Sequence, residues 1–110
     1  MQTRYPSKVQ TAVNALLTKP AASTPALRQA VEAYAARLGG GVRPAQDLPA
    51  ELVDYVKKVA LYAYKVTDQD VQKLREMGYS EDVIFEITLC ASVGAGLARL
   101  ERGLQALKGD

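Results

Sequence analysis

The chain has 110 residues, 48% hydrophobic and 24% charged, which is the composition of one ordinary globular domain. Its single cysteine, Cys90, excludes an intrachain disulfide, a CxxC redox pair and an all-cysteine metal site. The lack of histidine excludes Ser–His and Cys–His nucleophiles, an imidazole general base and the usual zinc sites. The formal net charge of +2 is too small to indicate nucleic-acid binding.

The location of the protein is predicted from its apolar segments. The first residues contain no apolar run of about seven residues or more, so we expect no signal peptide. The longest stretch without a charged residue, 87–98, has twelve residues, fewer than the ~20 that a membrane-spanning helix needs. We therefore expect a cytoplasmic protein that does not enter a membrane and does not bind nucleic acid.

Two helices are predicted in the first part of the chain. The first, 8–19, follows a serine cap at Ser7. The second, 25–38, has Thr24 as its cap and proline as its first residue, and its apolar side chains recur every three or four positions. Three glycines at 39–41 end this helix, and one of them can adopt the left-handed conformation.

The stretch 39–48 is the one linker candidate in the sequence. Charge changes across it: residues 1–48 have six basic and two acidic side chains, and residues 49–110 have eight basic and ten acidic ones. We interpret 1–48 as an N-terminal helical hairpin or arm, and 49–110 as the compact core of a single domain. The six cations are dispersed rather than clustered, which favours a solvated surface over a nucleic-acid-binding arm.

A third helix, 50–64, is predicted after Pro49, and a short fourth helix opens at Thr67. Asp70 lies near the capping-box position of the fourth helix, and Gly78 lies at its end. One face of the third helix is more polar than the apolar stripe beside it. It comprises Glu51, Tyr55, Lys58 and Tyr62, at spacings of four, three and four.

The fifth predicted helix, 81–107, begins after a cap at Ser80 and is the most informative element. A helix that is apolar on every side must be covered on every side, which a domain of this size achieves with difficulty. In this helix the stretch 87–98 has no charged residue on any side. The helix is either a central core helix or, as we favour, a core helix that also forms a subunit interface. We expect the interface to include Ala91, Gly94, Gly96, Leu97 and Leu100, beside a stripe that consists of Leu89, Val93, Leu97, Leu100 and Leu104.

The segment 66–87, VTDQDVQKLREMGYSEDVIFEI, followed by ASVGAG at 91–96, resembles the carboxymuconolactone decarboxylase and alkylhydroperoxidase AhpD-like superfamily. The stretch LPAELV at 48–53 is similar to the start of the family's core helix pair. The resemblance covers about residues 48–105. It implies an all-α fold of about five helices, in which helices 3–5 form the AhpD-like unit, and a homo-oligomer that is a trimer or a hexamer.

The family's redox motif is mostly missing from this chain. With Gly78 as the anchor, the motif's glutamate falls on Glu51, but its two cysteines fall on Ala63 and Val66. Its histidines fall on Lys65 and on Asp70. We therefore expect no thiol-peroxidase activity, because no thiolate occupies those positions.

Two functions of different classes remain. The one we favour is a non-catalytic AhpD-like helical protein, an oligomeric scaffold, an accessory subunit of a larger complex or a small-ligand binder. The alternative is a divergent lyase of the decarboxylase type, in which Glu51, Tyr62 and Asp70 converge on one enclosed cavity and Asp70 acts as a base with a raised pKa. We expect no cofactor and no metal ion.

Two further side chains have predicted roles. Cys90 has no neighbouring cation that would stabilise a thiolate, so we expect a buried structural cysteine. Glu86 lies in a helix that becomes apolar, and we expect it to pair with an arginine, either of the same chain or of a neighbouring subunit, for which Arg99 is a candidate.

Overall fold

The computed structural model describes residues 7–44 and 46–109. In these ranges the chain is all-helical, with no strand, and this confirms the predicted all-α fold of about five helices. A single turn of 3-10 helix, Ala63–Lys65, joins two of the helices. The five α-helices are α1 (Ser7–Thr18), α2 (Pro25–Leu38), α3 (Ala50–Tyr62), α4 (Asp68–Glu76) and α5 (Glu81–Leu107).

Three helices begin at the caps that the sequence predicts. The hydroxyl of Thr24 accepts a hydrogen bond from the N–H of Leu27 (3.1 Å), and that of Ser80 caps α5 in the same way. Thr67 and Asp70 form a complete capping box at the start of α4. The third helix ends two residues earlier than predicted, because the backbone leaves the helical conformation at Tyr62 (φ −140°, ψ 49°).

The centre of the core is the contact between α2 and α5, which is the most extensive of any helix pair. Small residues on both helices allow their backbones to approach closely. A Cβ atom added at Gly94 would collide with the carbonyl oxygen of Glu32, and one added at Gly39 would lie 2.7 Å from the carbonyl oxygen of Ala95. Leu52, Val56 and Val59 of α3 complete this core.

Helix α2 therefore lies inside the core, and residue 48 does not separate an arm from a compact unit. Among the five α-helices, α1 is the one without a fully buried residue, although its Leu16 and Leu17 pack against the edge of the core. It is held by α2: the guanidinium of Arg28 donates to the carbonyl oxygens of Leu16 and Lys19. The amide of Gln29 donates to the carbonyl oxygen of Leu17 at 3.0 Å.

Helix α5 has two apolar faces on opposite sides. The face toward α2 and α3 is buried and consists of Ile84, Ile87, Cys90, Ala91, Gly94, Ala95 and Ala98. The opposite face, which we call the outer stripe, is exposed and lies within about 80° of arc at 100° per residue. It consists of Phe85, Leu89, Ser92, Gly96, Leu100, Gly103 and Leu107.

The predicted interface residues are divided between these faces. Ala91 and Gly94 pack against α2 in the same chain, so they cannot contact a second subunit. Gly96 and Leu100 lie on the outer stripe, and Leu97 is half-buried beside it. The prediction is wrong for Ala91 and Gly94, because a small side chain does not indicate whether a helix of the same chain or of a second subunit packs against it.

By length and composition alone, α5 is long and apolar enough to cross a membrane. Core helices of soluble proteins have the same length and composition, and the inner face of α5 is such a core surface.

Candidate functional site

A groove of about 280 Å³ lies between α3 and α4 and is the first candidate site. Leu74 and Met77 contribute its apolar part, and Tyr55 lines it from α3. Its charged side chains come from both helices: Glu51, Asp54 and Lys58 from α3, and Asp70 and Lys73 from α4. The four-and-three spacing predicted for the polar face of α3 thus brings Glu51, Tyr55 and Lys58 to one surface.

Two of the three predicted pocket residues meet in this groove, namely Glu51 and Asp70. Tyr62 does not line it. It is the last residue of α3, 46% exposed, and the ammonium of Lys65 lies 5.2 Å from the centre of its ring. The three side chains therefore do not converge, and the groove is open rather than an enclosed cavity.

Glu51 is held as a carboxylate by Tyr79, whose hydroxyl donates to Oε1 at 2.7 Å. This hydrogen bond, together with the backbone at the start of α3, lowers the pKa of Glu51. Burial, and then the same bond to Glu51, raises the pKa of Tyr79 to about 12. At neutral pH the pair is thus a neutral phenol bound to an ionised carboxyl group.

Asp70 is engaged from two directions. The ammonium of Lys58 lies 2.7 Å from Oδ2, and the backbone N–H of Thr67 donates to the same oxygen at 2.9 Å. The hydrogen bond from Lys58, followed by that from Thr67, lowers the pKa of Asp70. This direction is the opposite of what a general base near neutral pH requires. Lys58, on the polar face of α3, is therefore the cationic partner of Asp70 in the groove.

The hydroxyl of Tyr55 is already used inside the protein. It lies 2.7 Å from Oγ1 of Thr88, and Thr88 donates its own proton to the carbonyl oxygen of Ile84 at 2.6 Å. Since the threonine hydroxyl has one proton, Tyr55 is the donor in their shared bond. A ligand in the groove would meet the ring of Tyr55 rather than a free hydroxyl group.

Glu86 does not pair with Arg99, and that expectation is wrong. Its carboxylate accepts hydrogen bonds from the backbone N–H groups of Ala22 (3.1 Å) and Ser23 (2.7 Å) and from the hydroxyl of Ser23 (2.5 Å). Arg99 donates instead to the carbonyl oxygen of Ala60 at 2.6 Å. Both partners come from distant parts of the same chain, so no local sequence pattern predicts them.

Cys90 is buried in the core, as the sequence predicts. Burial raises the pKa of its thiol to about 11. A thiol is nucleophilic only as the thiolate, so this environment suits a packing role. Among residues 7–44 and 46–109, no group of three or more Cys, Asp or Glu side chains is arranged to hold a metal ion.

The outer stripe of α5 is the second candidate site. Its large side chains are well exposed: Phe85 at 66%, Leu89 at 39%, Leu100 at 44% and Leu107 at 84%. Between them, Gly96 and Gly103 have open space where a Cβ would be, within the part of the chain that the structure describes. The stripe thus has large apolar side chains toward both ends and small residues, Ser92 and Gly96, between Leu89 and Leu100.

The chain was compared with family models, with curated proteins and with solved structures, and none of the three comparisons found a match. The resemblance to the AhpD-like superfamily therefore stays a prediction from the sequence.

Proposed function

We propose that this chain is a non-catalytic helical protein of the cytoplasm that acts by association, as an oligomeric scaffold or an accessory subunit with an AhpD-like arrangement of helices. The observation that carries the proposal is the outer stripe of α5, an exposed apolar face directly opposite the buried one. The groove between α3 and α4 serves in this proposal as a binding surface for a small ligand or for a segment of another subunit.

The size of the exposed surface supports association. The four large side chains of the outer stripe expose roughly 400 Å² together, given 150–250 Å² for a whole aromatic side chain. The largest apolar patch on a soluble monomer typically measures about 300–600 Å², and such a patch is often a binding surface. Burying such a face against another protein removes it from water, which is the main favourable contribution to most protein association.

The chemistry of the groove argues against the lyase. A general acid or base works best when its pKa lies near the working pH. Tyr79 holds the pKa of Glu51 low, and Lys58 holds that of Asp70 low, while burial raises that of Tyr79 to about 12. Each group is thereby moved away from neutrality, and Tyr62 lies outside the groove.

The molar mass of the full chain in solution tests this proposal. At micromolar concentration, light scattering should give a multiple of 11.9 kDa. Leu100→Glu places a charge on the outer stripe and should shift the particle toward 11.9 kDa, because association would then bury an unpaired carboxylate. Val42→Glu is the matched control, since Val42 is exposed and apolar but lies outside the stripe.

A stable, folded particle of 11.9 kDa for the unmodified chain would overturn the association proposal. The lyase is tested separately, by following the carboxyl carbon signals of Glu51 and Asp70 in an NMR titration. Midpoints below their ordinary values agree with a non-catalytic groove. A midpoint near pH 7 for either group would restore the catalytic interpretation.

A further inference from the structure

We propose that a second copy of this chain covers the outer stripe, with the two α5 helices antiparallel and related by a two-fold axis near Gly96. This inference rests on the association proposed above and adds its partner and its geometry. Two features of α5 support it: the order of its large residues and of its small ones, which include two glycines, and the charges at its two ends.

The order of residues in the outer stripe is symmetric in spacing about Gly96. Two stripe residues lie four positions from it, two lie seven away and two lie eleven away. A two-fold axis at Gly96 therefore places Leu89 opposite Gly103 of the second copy, and Ser92 opposite Leu100. Leu89 and Leu100 then each face a small residue, which lets the two helix surfaces fill space, while at the ends of the stripe Phe85 faces Leu107 of the second copy. A parallel pair would place each leucine against the same leucine.

The glycines of α5 differ in whether the single chain leaves space for a side chain at their positions. Gly94 must be glycine, because a Cβ there would meet the carbonyl oxygen of Glu32. Gly96 and Gly103 meet nothing within 4 Å in the described part of the chain, although glycine is unfavourable in a helix interior. In the single chain, no contact explains why these two positions are glycine. A second α5 helix would explain it, because glycine at Gly96 and Gly103 lets the two backbones approach closely.

The charges at the ends of α5 favour the antiparallel orientation. Glu81 and Asp82 are exposed at its beginning, where Glu81 forms an ion pair with Arg75 of the same chain, and Lys108 is exposed just after its end. At 1.5 Å per residue, an axis at Gly96 brings Lys108 to within about 3 Å, along the helix direction, of Asp82 in the second copy. A parallel pair would instead bring like charges together at both ends. The antiparallel arrangement also opposes the two helix dipoles favourably.

The stripe supplies part of the area that a dimer contact buries. A standard interface buries about 800 Å² on each partner. The four large stripe residues expose about half of this, roughly 400 Å². The half-buried Val93, Leu97 and Leu104, along one side of the stripe, extend the apolar surface.

Disulfide cross-linking between introduced cysteines tests the orientation. The native Cys90 can stay, since it is buried. Four variants, each with one cysteine introduced at an exposed residue, form two pairs. The first pair is Phe85→Cys and Leu107→Cys, and the second is Leu89→Cys and Gly103→Cys. Each variant is oxidised alone and after mixing with the other member of its pair through unfolding and refolding. Val42→Cys, exposed outside the stripe, is the control for random collision.

The antiparallel pair predicts a covalent dimer of twice 11.9 kDa in the mixtures, and little product from any single variant. Self-cross-linking of Phe85→Cys and of Leu107→Cys would show a parallel pair and overturn the inference. The chain could also be an oligomer in which no stripe cysteine forms more cross-linked product than the Val42→Cys control. That result would overturn the antiparallel pairing but not the proposal that the chain associates. A trimer without a two-fold axis contradicts the inference, whereas a hexamer of three such pairs agrees with it.

Light scattering before oxidation separates the two proposals. A monomer of 11.9 kDa defeats the association itself, and the orientation with it. A monomer that co-floats with phosphatidylcholine vesicles would identify a lipid surface as the occupant of the stripe, which also overturns the inference.

Discussion

Gly94 of α5 lies directly against the carbonyl oxygen of Glu32 in α2, with no space between them for a side-chain atom. This contact fixes the distance between the two central helices. It also makes two glycines that are only two residues apart behave differently, because Gly96 faces away from the core.

Gly94→Ala is expected to lower the free energy of unfolding by about 1–3 kcal/mol, since the added methyl group forces α2 and α5 apart. Urea denaturation at submicromolar concentration, where association contributes least, measures this change. Gly96→Ala is the matched control and should not destabilise the single chain, because its methyl group contacts nothing there. Equal losses in the two variants would contradict the packing of α5 on α2.

Arg28→Met should release α1 while the rest of the core persists. The guanidinium of Arg28 binds the carbonyl oxygens of Leu16 and Lys19, and α1 has no buried residue of its own. Hydrogen exchange measured by mass spectrometry should therefore become faster in Ser7–Thr18 and change little in α5. Arg37→Met, at an exposed position of α2, is the control. Unchanged protection of α1 would show that other contacts hold it.

Glu86→Gln should lower the free energy of unfolding at pH 7 by about 1–3 kcal/mol. The amide presents an N–H group toward the donors of Ala22 and Ser23, which the carboxylate accepts. Burial raises the pKa of Glu86. The hydrogen bonds from Ser23 and Ala22 and the charge of Arg28 together lower it by more than burial raises it, so the pKa of Glu86 is lower than its ordinary value.

The sign of the pH dependence follows from that direction. A carboxyl group whose pKa is lower in the folded state stabilises the fold above its unfolded pKa of 4.5. This stabilisation is lost as the pH falls through the folded pKa. The difference between the wild type and Glu86→Gln should therefore be constant near neutrality and shrink below about pH 4.5. Glu76→Gln, exposed in α4, should show no such convergence.

The native thiol of Cys90 should be nearly unreactive at pH 8. With its pKa raised to about 11 by burial, roughly one thiol in a thousand is ionised, and the side chain is inaccessible. Ellman's reagent should react with the native chain far more slowly than with the chain in urea. Val42→Cys, added to the same chain, should react at once. Fast labelling of Cys90 in the native chain would contradict its place in the core.

The sequence predicts most helix boundaries because the signals that set them are local. Thr24, Thr67 and Ser80 each hydrogen-bond the backbone three residues further on, and this spacing is visible in the sequence. Glu51 and Asp70 were similarly placed by their positions in helices α3 and α4. Tyr62 was not, because its place on the polar face depends on a helix that ends at that residue.

Contacts between segments that are distant in the chain cannot be predicted from local sequence patterns. Nothing near Glu86 indicates that the loop at Ser23 will reach it, 63 residues away. In the same way, the sequence alone does not distinguish Gly94 from Gly96, and only the position of α2 in the fold shows that Gly94 is the one in contact with it. Helical periodicity finds faces, but it does not identify which helix will cover each face.

The pairing of α2 with α5 determines the order in which the core can be completed during synthesis. The buried residues of α2 find their main partner in Ile84–Ala98, near the other end of the chain. Until that segment has been made, the alanine-rich face of α2 has no complementary surface, and α3 can cover only part of it. The closing step therefore joins the second helix to the last one, and this non-local contact is expected to form more slowly than the local turns within either helix.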